Sequence, residues 1–65
     1  MADELPARIS PDGRTATWNP AVTRASRLIL LIRGPEGDEG VRETANSGRA
    51  RVREGERIVA VREPD

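Results

Sequence analysis

The segment Arg27–Arg33, with the sequence RLILLIR, constrains the fold more than any other part of the chain. Its five central residues, 28–32, are all apolar, and Gly34 and Pro35 follow directly. A short apolar run bounded by turn residues is typical of a strand buried on both faces or of a short core helix. Because Gly34 and Pro35 stop a helix and five residues are few for one, we predict a central β-strand.

The two faces of this strand are both apolar. Side chains alternate along a strand, so Leu28, Leu30 and Ile32 point to one side, and Ile29 and Leu31 point to the other. A two-layer sandwich covers only one of these sets, and the other set needs a partner surface or a covering loop. Leu28, Leu30 and Ile32 are therefore taken as candidate partner-binding residues.

Turn signals divide the rest of the chain into short strands. Pro and Gly within residues 10–13, Asn46-Ser47-Gly48 and Glu54-Gly55-Glu56 are typical of turns. Residues 14–18 and 49–53 alternate between polar and apolar, which predicts half-buried strands with Trp18 pointing inward. Six strands at this spacing predict an all-β fold, a small antiparallel six-stranded sandwich. A small SH3-like or OB-like barrel is the alternative.

The length of 65 residues predicts one β domain over the whole chain. We expect residues 1–4 and 63–65 to be frayed at the ends. Residues 34–40 contain three glycines and three acids, which predicts a mobile surface loop.

The composition argues against several classes of function. The chain has no cysteine and no histidine, so the commonest metal ligands and the commonest general base are missing. We therefore expect no enzyme, no metal and no cofactor. No apolar run approaches the length of a membrane span, and the acidic start is unlike a signal peptide. We expect a protein that works inside the cell or in a particle assembled there.

Eleven arginines balance eleven acidic residues, and lysine is absent. Arg49, Arg51 and Arg53 form a stripe on one strand face, which indicates either a binding surface for phosphate or carboxylate or a solvated face paired with glutamates. We favour the solvated face, with Glu43, Glu54, Glu56 and Glu63 as the pairing acids. Zero net charge and the lack of interleaved aromatic residues make nucleic acid an unlikely partner.

Two acidic groups are weighed as chemical sites. Glu36, Asp38 and Glu39 could supply oxygens to a cation, but their spacing matches no calcium loop. Glu54 and Glu56 flank Gly55 in a predicted exposed turn, with nothing apolar to raise a pKa. We therefore expect neither a cation site at the first group nor an acid–base site at the second.

Two stretches resemble the fibronectin type III family, an immunoglobulin-like β-sandwich. Trp18-Asn19-Pro20 resembles the end of the family's second strand, where an inward tryptophan precedes a proline-containing connection. Residues 52–58 are similar to the turn that opens the sixth strand, although Glu54 stands in place of the usual proline and Ile58 in place of tyrosine. The resemblance implies that residues 28–32 are the third strand, next to the sixth. The seventh strand has no counterpart, so the sixth is expected to be an exposed edge.

These observations favour a non-enzymatic protein–protein interaction or structural assembly module. Its partner is expected to be another protein or a second copy, with a homodimer formed through an open sheet edge as one form. The alternative is a small β-barrel that binds nucleic acid through the arginine-rich face.

Overall fold

The computed structural model describes residues 4–64, and its regular structure is almost entirely β. The strands are β1 (Arg8–Ile9), β2 (Thr15–Thr17), β3 (Arg27–Arg33), β4 (Glu39–Ala45), β5 (Arg49–Arg51) and β6 (Arg57–Arg62). A single 3₁₀ turn, Pro20–Val22, lies between β2 and β3 within the described residues. The all-β prediction is confirmed.

The six strands form two antiparallel sheets of three strands each, in the orders β1-β2-β5 and β4-β3-β6. β3 lies in the middle of its sheet and pairs along its whole length with β4, from Arg27 opposite Ala45 to Arg33 opposite Glu39. Its other side pairs with β6. The prediction that residues 28–32 form a central strand is confirmed.

The hydrophobic core lies between the two sheets. Sheet β4-β3-β6 contributes the larger aliphatic side chains, and sheet β1-β2-β5 contributes small alanines that let the sheets approach. The buried cluster consists of Leu5, Ala16, Trp18, Leu28, Leu30, Ile32, Ala50, Val52, Ile58 and Val61. Trp18, the only aromatic side chain, is 8% exposed, which confirms that it points into the core.

The turn between β1 and β2 has the hydrogen bonds expected of Ser10-Pro11-Asp12-Gly13. The Gly13 amide donates to the Ser10 carbonyl over 2.8 Å, and the Asp12 carboxylate accepts from the Ser10 hydroxyl. Gly13 has a φ of +75°, which favours glycine, and a β-carbon there would lie 3.1 Å from the Arg57 side chain. The Gly13 carbonyl accepts from the Ile58 amide, so this turn also holds the edge of β6.

Asn46 joins three parts of the chain around Trp18. Its Oδ1 accepts from the indole Nε1 over 2.8 Å, and its Nδ2 donates to the carbonyls of Pro20 and Ala25. The residue therefore provides the hydrogen-bond partner that a buried indole requires and fixes the connection between β2 and β3. The sequence predicts a turn here but not this set of contacts.

One predicted boundary is wrong. β4 begins at Glu39, so residues 39 and 40 belong to a strand and not to the predicted loop, because Glu39 pairs with Arg33 and extends the ladder. The rest of that segment is a tight turn, in which the Gly34 amide donates to the Asp38 carbonyl over 2.7 Å. At the start of the chain, Glu4 forms an isolated bridge with Arg62, and Leu5, which follows the predicted frayed segment, is buried. Residues 1–3 and 65 of the predicted frayed ends lie outside the described residues.

Candidate functional site

Three β3 residues that the sequence predicts to bind a partner lie inside the domain. Leu28, Leu30 and Ile32 are 0%, 2% and 6% exposed. They point towards sheet β1-β2-β5, which covers them with Trp18 and the small side chain of Ala50. The prediction that these three residues face a partner is wrong for this chain, because the alternation of side chains along a strand does not show which of its faces the second sheet covers.

The opposite face of β3 is the apolar surface left to solvent. We define the exposed apolar face as Ile29, Leu31, Val41 and Val59. Ile29 and Leu31 are half-buried, while Val41 and Val59 are 69% and 52% exposed. In the register, Val41 of β4 lies beside Leu31, and Val59 of β6 lines the same concavity, so the apolar surface spans all three strands, while Ala60, opposite Leu31, is only 4% exposed.

A β-bulge in β6 adds one side chain to this face. Leu31 pairs with Ala60 and Ile32 pairs with Ile58, which leaves Val59 as the extra residue. A bulge redirects side chains that strict alternation would place elsewhere. Ile58 and Val61 thus face the core while Val59 joins Leu31 on the outer side.

These side chains line a shallow concavity of about 310 Å³, formed by Leu31, Val41 and Val59 with neighbouring backbone. One end is bounded by the ion pair between Arg33 and Glu39, whose charged atoms lie 3.1 Å apart. An apolar floor bounded by charged groups is a common arrangement in protein interfaces.

Charges are distributed unequally on the two sides of the exposed apolar face. Glu39 and Glu43 of β4 lie on one flank, where Glu43 also pairs with Arg27. Arg57 and Arg62 of β6 lie on the other flank, opposite Arg33 and Ile29 in the register. The face therefore has acids along β4 and arginines along β6, and its apolar centre is bounded at the two ends of β3 by Arg33 and Arg27, which pair with those acids.

The two edges of this sheet differ. The free side of β6 is partly occupied, because the Leu5 amide donates to the Val61 carbonyl over 2.8 Å and the Ile58 amide donates to Gly13. No strand among residues 4–64 pairs with the free side of β4. The more open edge is thus β4, and the expectation that β6 is the exposed edge needs this correction.

Arg42 and Glu56 form a two-pronged ion pair at the side of the sandwich. The two terminal guanidinium nitrogens of Arg42 donate to the Glu56 carboxylate, over 3.1 and 2.8 Å, and the Arg53 amide donates to the same carboxylate. The Arg42 guanidinium holds the pKa of Glu56 below its ordinary value. The pair joins edge strand β4 to the turn before β6.

The predicted arginine stripe lies on the outer side of the other sheet. Arg49 and Arg51 are exposed on β5, in register with Thr17 and Thr15 of β2, and Arg8 of β1 lies beyond Thr17. Arg53 is also exposed but lies just past the end of β5.

The acids expected to neutralise the stripe are partly engaged elsewhere. Glu43 pairs with Arg27 and Glu56 pairs with Arg42, so the predicted pairing fails for these two. Among residues 4–64, neither Arg49 nor Arg51 has a carboxylate within ion-pair distance.

Within the part of the chain that is described, no three His, Cys, Asp or Glu side chains cluster to hold a metal ion. Of the acidic loop residues, Glu39 pairs with Arg33. The same described residues contain no helix long and apolar enough to span a membrane.

Comparison with protein-family models finds no match for this chain, and comparisons with the curated proteins and with the solved structures find none either.

Proposed function

We propose that this chain is a non-enzymatic protein–protein interaction module whose binding surface is the exposed apolar face. The observation that carries the proposal is that Ile29, Leu31, Val41 and Val59 form a contiguous aliphatic surface outside the core. Scattered apolar residues on a surface need no explanation, but a contiguous patch rimmed by charges is typical of an interaction site.

The physical driving force is the removal of this aliphatic surface from water. Burial of apolar surface contributes about 25 cal/mol for each Å². The open concavity can accept a side chain from a partner, and the flanking charges can select the partner's orientation.

For the finer fold, we propose a fibronectin type III-like sandwich. In immunoglobulin-type sandwiches the first, second and fifth strands share one sheet, and the third and sixth are neighbours in the other. The observed orders β1-β2-β5 and β4-β3-β6 support this arrangement, with β4 added next to β3. The inward Trp18 at the end of β2 supports it too.

The proposal is tested by photo-crosslinking from single positions. A photoreactive residue replaces Val41 on the exposed apolar face, and a matched variant replaces Val22, which is 39% exposed on a different element. In extract from the source organism, the Val41 position should crosslink to a protein, either another one or a copy of this chain. The crosslink should disappear with Leu31→Glu, and the captured protein, once purified, should bind the unmodified chain and not the Leu31→Glu variant. Equal crosslinking at Val22 and Val41 would refute the proposal.

A second candidate function is binding of a nucleic acid through the arginine stripe. It is favoured by the exposed arrangement of Arg8, Arg49 and Arg51 without paired acids in the described chain. Phosphate groups are ordinary ligands of such guanidinium groups.

Fluorescence anisotropy with a labelled oligonucleotide separates the two candidates. If the arginine stripe binds, affinity should fall steeply as salt is added and should weaken with Arg51→Ala. Arg24→Ala, at an exposed site between β2 and β3, is the control and should change affinity less. No binding at low salt excludes this second function.

A further inference from the structure

The charge distribution around the exposed apolar face makes this surface complementary to itself. Across the sheet, Glu39 on β4, Arg33 on β3 and Arg57 on β6 form one row. Another row contains Glu43, Ile29 and Arg62, and the row between them contains Val41, Leu31 and Ala60. From β4 to β6 each charged row therefore runs from acidic to basic, and Glu4, which bridges Arg62, lies beyond the second row.

We propose that two copies of this chain pack these faces together in a symmetric dimer, with the two-fold axis parallel to β3. The inference rests on the proposed function, since it names the partner of the same surface. In the dimer, β3 lies over β3 of the other copy, and two sheets packed in this aligned way bury their facing side chains.

The direction of the axis follows from the charges. Rotation about an axis parallel to β3 brings β4 of one copy over β6 of the other, so that Glu39 meets Arg57 and Glu43 meets Arg62. Rotation about an axis across the strands would instead place β4 over β4 and bring Glu39 against Glu43. Opposite charges favour the first arrangement, and like charges disfavour the second.

The two outward arginines of β3, Arg27 and Arg33, each form an ion pair with a glutamate of their own β4, so they do not oppose this packing. Arg33 of each copy leans towards Glu39 on its own β4, to which it is bonded over 3.1 Å. Because β4 lies on opposite sides of the axis in the two copies, the two Arg33 groups are drawn apart.

Pairing through the open edge of β4 is less favourable than packing through the face. An antiparallel pair of β4 strands centred on Val41 would place Glu39 opposite Glu43 of the other copy. A pair centred on Arg42 would place two arginines opposite each other. Like charges directly across two strands are destabilising, and charged edges are a known device against such pairing.

The size of the face predicts a weak dimer. Three strands about 4.8 Å apart and seven residues of about 3.3 Å give a flat area of roughly 300 Å² for each copy. A standard stable interface buries roughly 800 Å² on each side. We therefore expect a dissociation constant of roughly 10⁻⁵ to 10⁻³ M.

Sedimentation equilibrium over a concentration range that brackets these values tests the dimer. The unmodified chain should pass from monomer to dimer, and Leu31→Glu should remain monomeric. Val22→Glu, the matched control, should dimerise like the unmodified chain. Circular dichroism of each variant shows whether it has kept its fold.

A charge-exchange mixture tests the geometry more sharply. Glu39→Arg alone and Arg57→Glu alone should each weaken dimerisation by roughly tenfold, since each homodimer then contains two like-charged pairs. An equal mixture of the two variants should form a heterodimer more tightly than either forms a homodimer, because both pairs are again of opposite charge.

The outcomes separate this inference from the proposed function. A chain that stays monomeric at the highest concentration, or a mixture that associates no better than its components, overturns the dimer. If the Val41 crosslink to another protein still forms in that case, the interaction module stands and its partner is not a second copy.

Discussion

Replacing two neighbouring leucines of β3 by alanine tests which side of that strand is the core. Leu30 is 2% exposed and lies opposite Val61, which is fully buried. Leu31 is half-buried and points to the exposed apolar face. The two substitutions remove the same atoms from adjacent positions, so the difference in the free energy of unfolding reports the difference in environment.

We expect Leu30→Ala to cost about 2–5 kcal/mol, the range for a leucine removed from a packed core. At about 0.05–0.15 kcal/mol per residue, the whole domain is stable by about 3–10 kcal/mol, so this loss is a large fraction. Leu31→Ala should cost less, about 1 kcal/mol, because part of the side chain already contacts water.

Urea unfolding followed by Trp18 fluorescence measures both values, since the only tryptophan lies in the core. The protein is kept dilute so that self-association does not stabilise the native state. If Leu30→Ala does not fold, Ile32→Val provides a milder core change that should cost about 0.5–1.5 kcal/mol. A Leu31→Ala variant as unstable as Leu30→Ala would refute the assignment of the two faces.

Three further predictions concern the contacts that hold the sheets. Asn46→Ala should lower the free energy of unfolding by about 1–3 kcal/mol in urea titrations, because it leaves the Trp18 indole N–H without its partner. Glu56→Gln should flatten the fall in melting temperature below about pH 4.5, because the ionised Glu56 stabilises the fold above its unfolded pKa and loses this effect as pH falls through the lower folded pKa. Gly13→Ala should cost roughly 1–2 kcal/mol by the same urea assay, because its φ of +75° disfavours a side chain.

Each of these predictions has a control. Asn46→Asp keeps the acceptor for the indole and should lose less stability than Asn46→Ala if the indole bond dominates. Glu54→Gln, in the same turn, should leave the acid-side fall in melting temperature in place. Gly40→Ala should be tolerated, since a β-carbon there would have no atom within 4 Å. A control that behaves like its partner variant contradicts the corresponding argument.

Much of the architecture follows from local chemistry in the sequence. The run at residues 28–32, the turn ending at Gly13 and the alternation around Ala50 and Val52 each depend on neighbouring residues alone. Their predictions therefore agree with the structure. The start of β4 was misplaced because a glycine-rich acidic segment suggests a loop, whereas the contact that extends the strand, Arg33 with Glu39, joins two different strands.

The candidate site could not be predicted from the alternation of side chains along the strands alone. Two apolar faces were predicted for β3, but only the position of sheet β1-β2-β5 decides that Leu30 lies inside and Leu31 outside. Val41 and Val59 were missed for related reasons. Val41 lies in a strand with few apolar residues, and pairing with β3 sets the register of that strand. Val59 is exposed through a β-bulge that the sequence of β6 does not predict.

Solvent accessibility of the β3 methyl groups tests the central claim most directly. In NMR spectra of dilute, methyl-labelled protein, a soluble paramagnetic probe should strongly broaden the signals of Ile29 and Leu31 and leave those of Leu28 and Leu30 sharp. Equal protection of all four side chains, or broadening of Leu28 and Leu30 instead, would contradict the claim that this domain covers only one apolar face of its central strand.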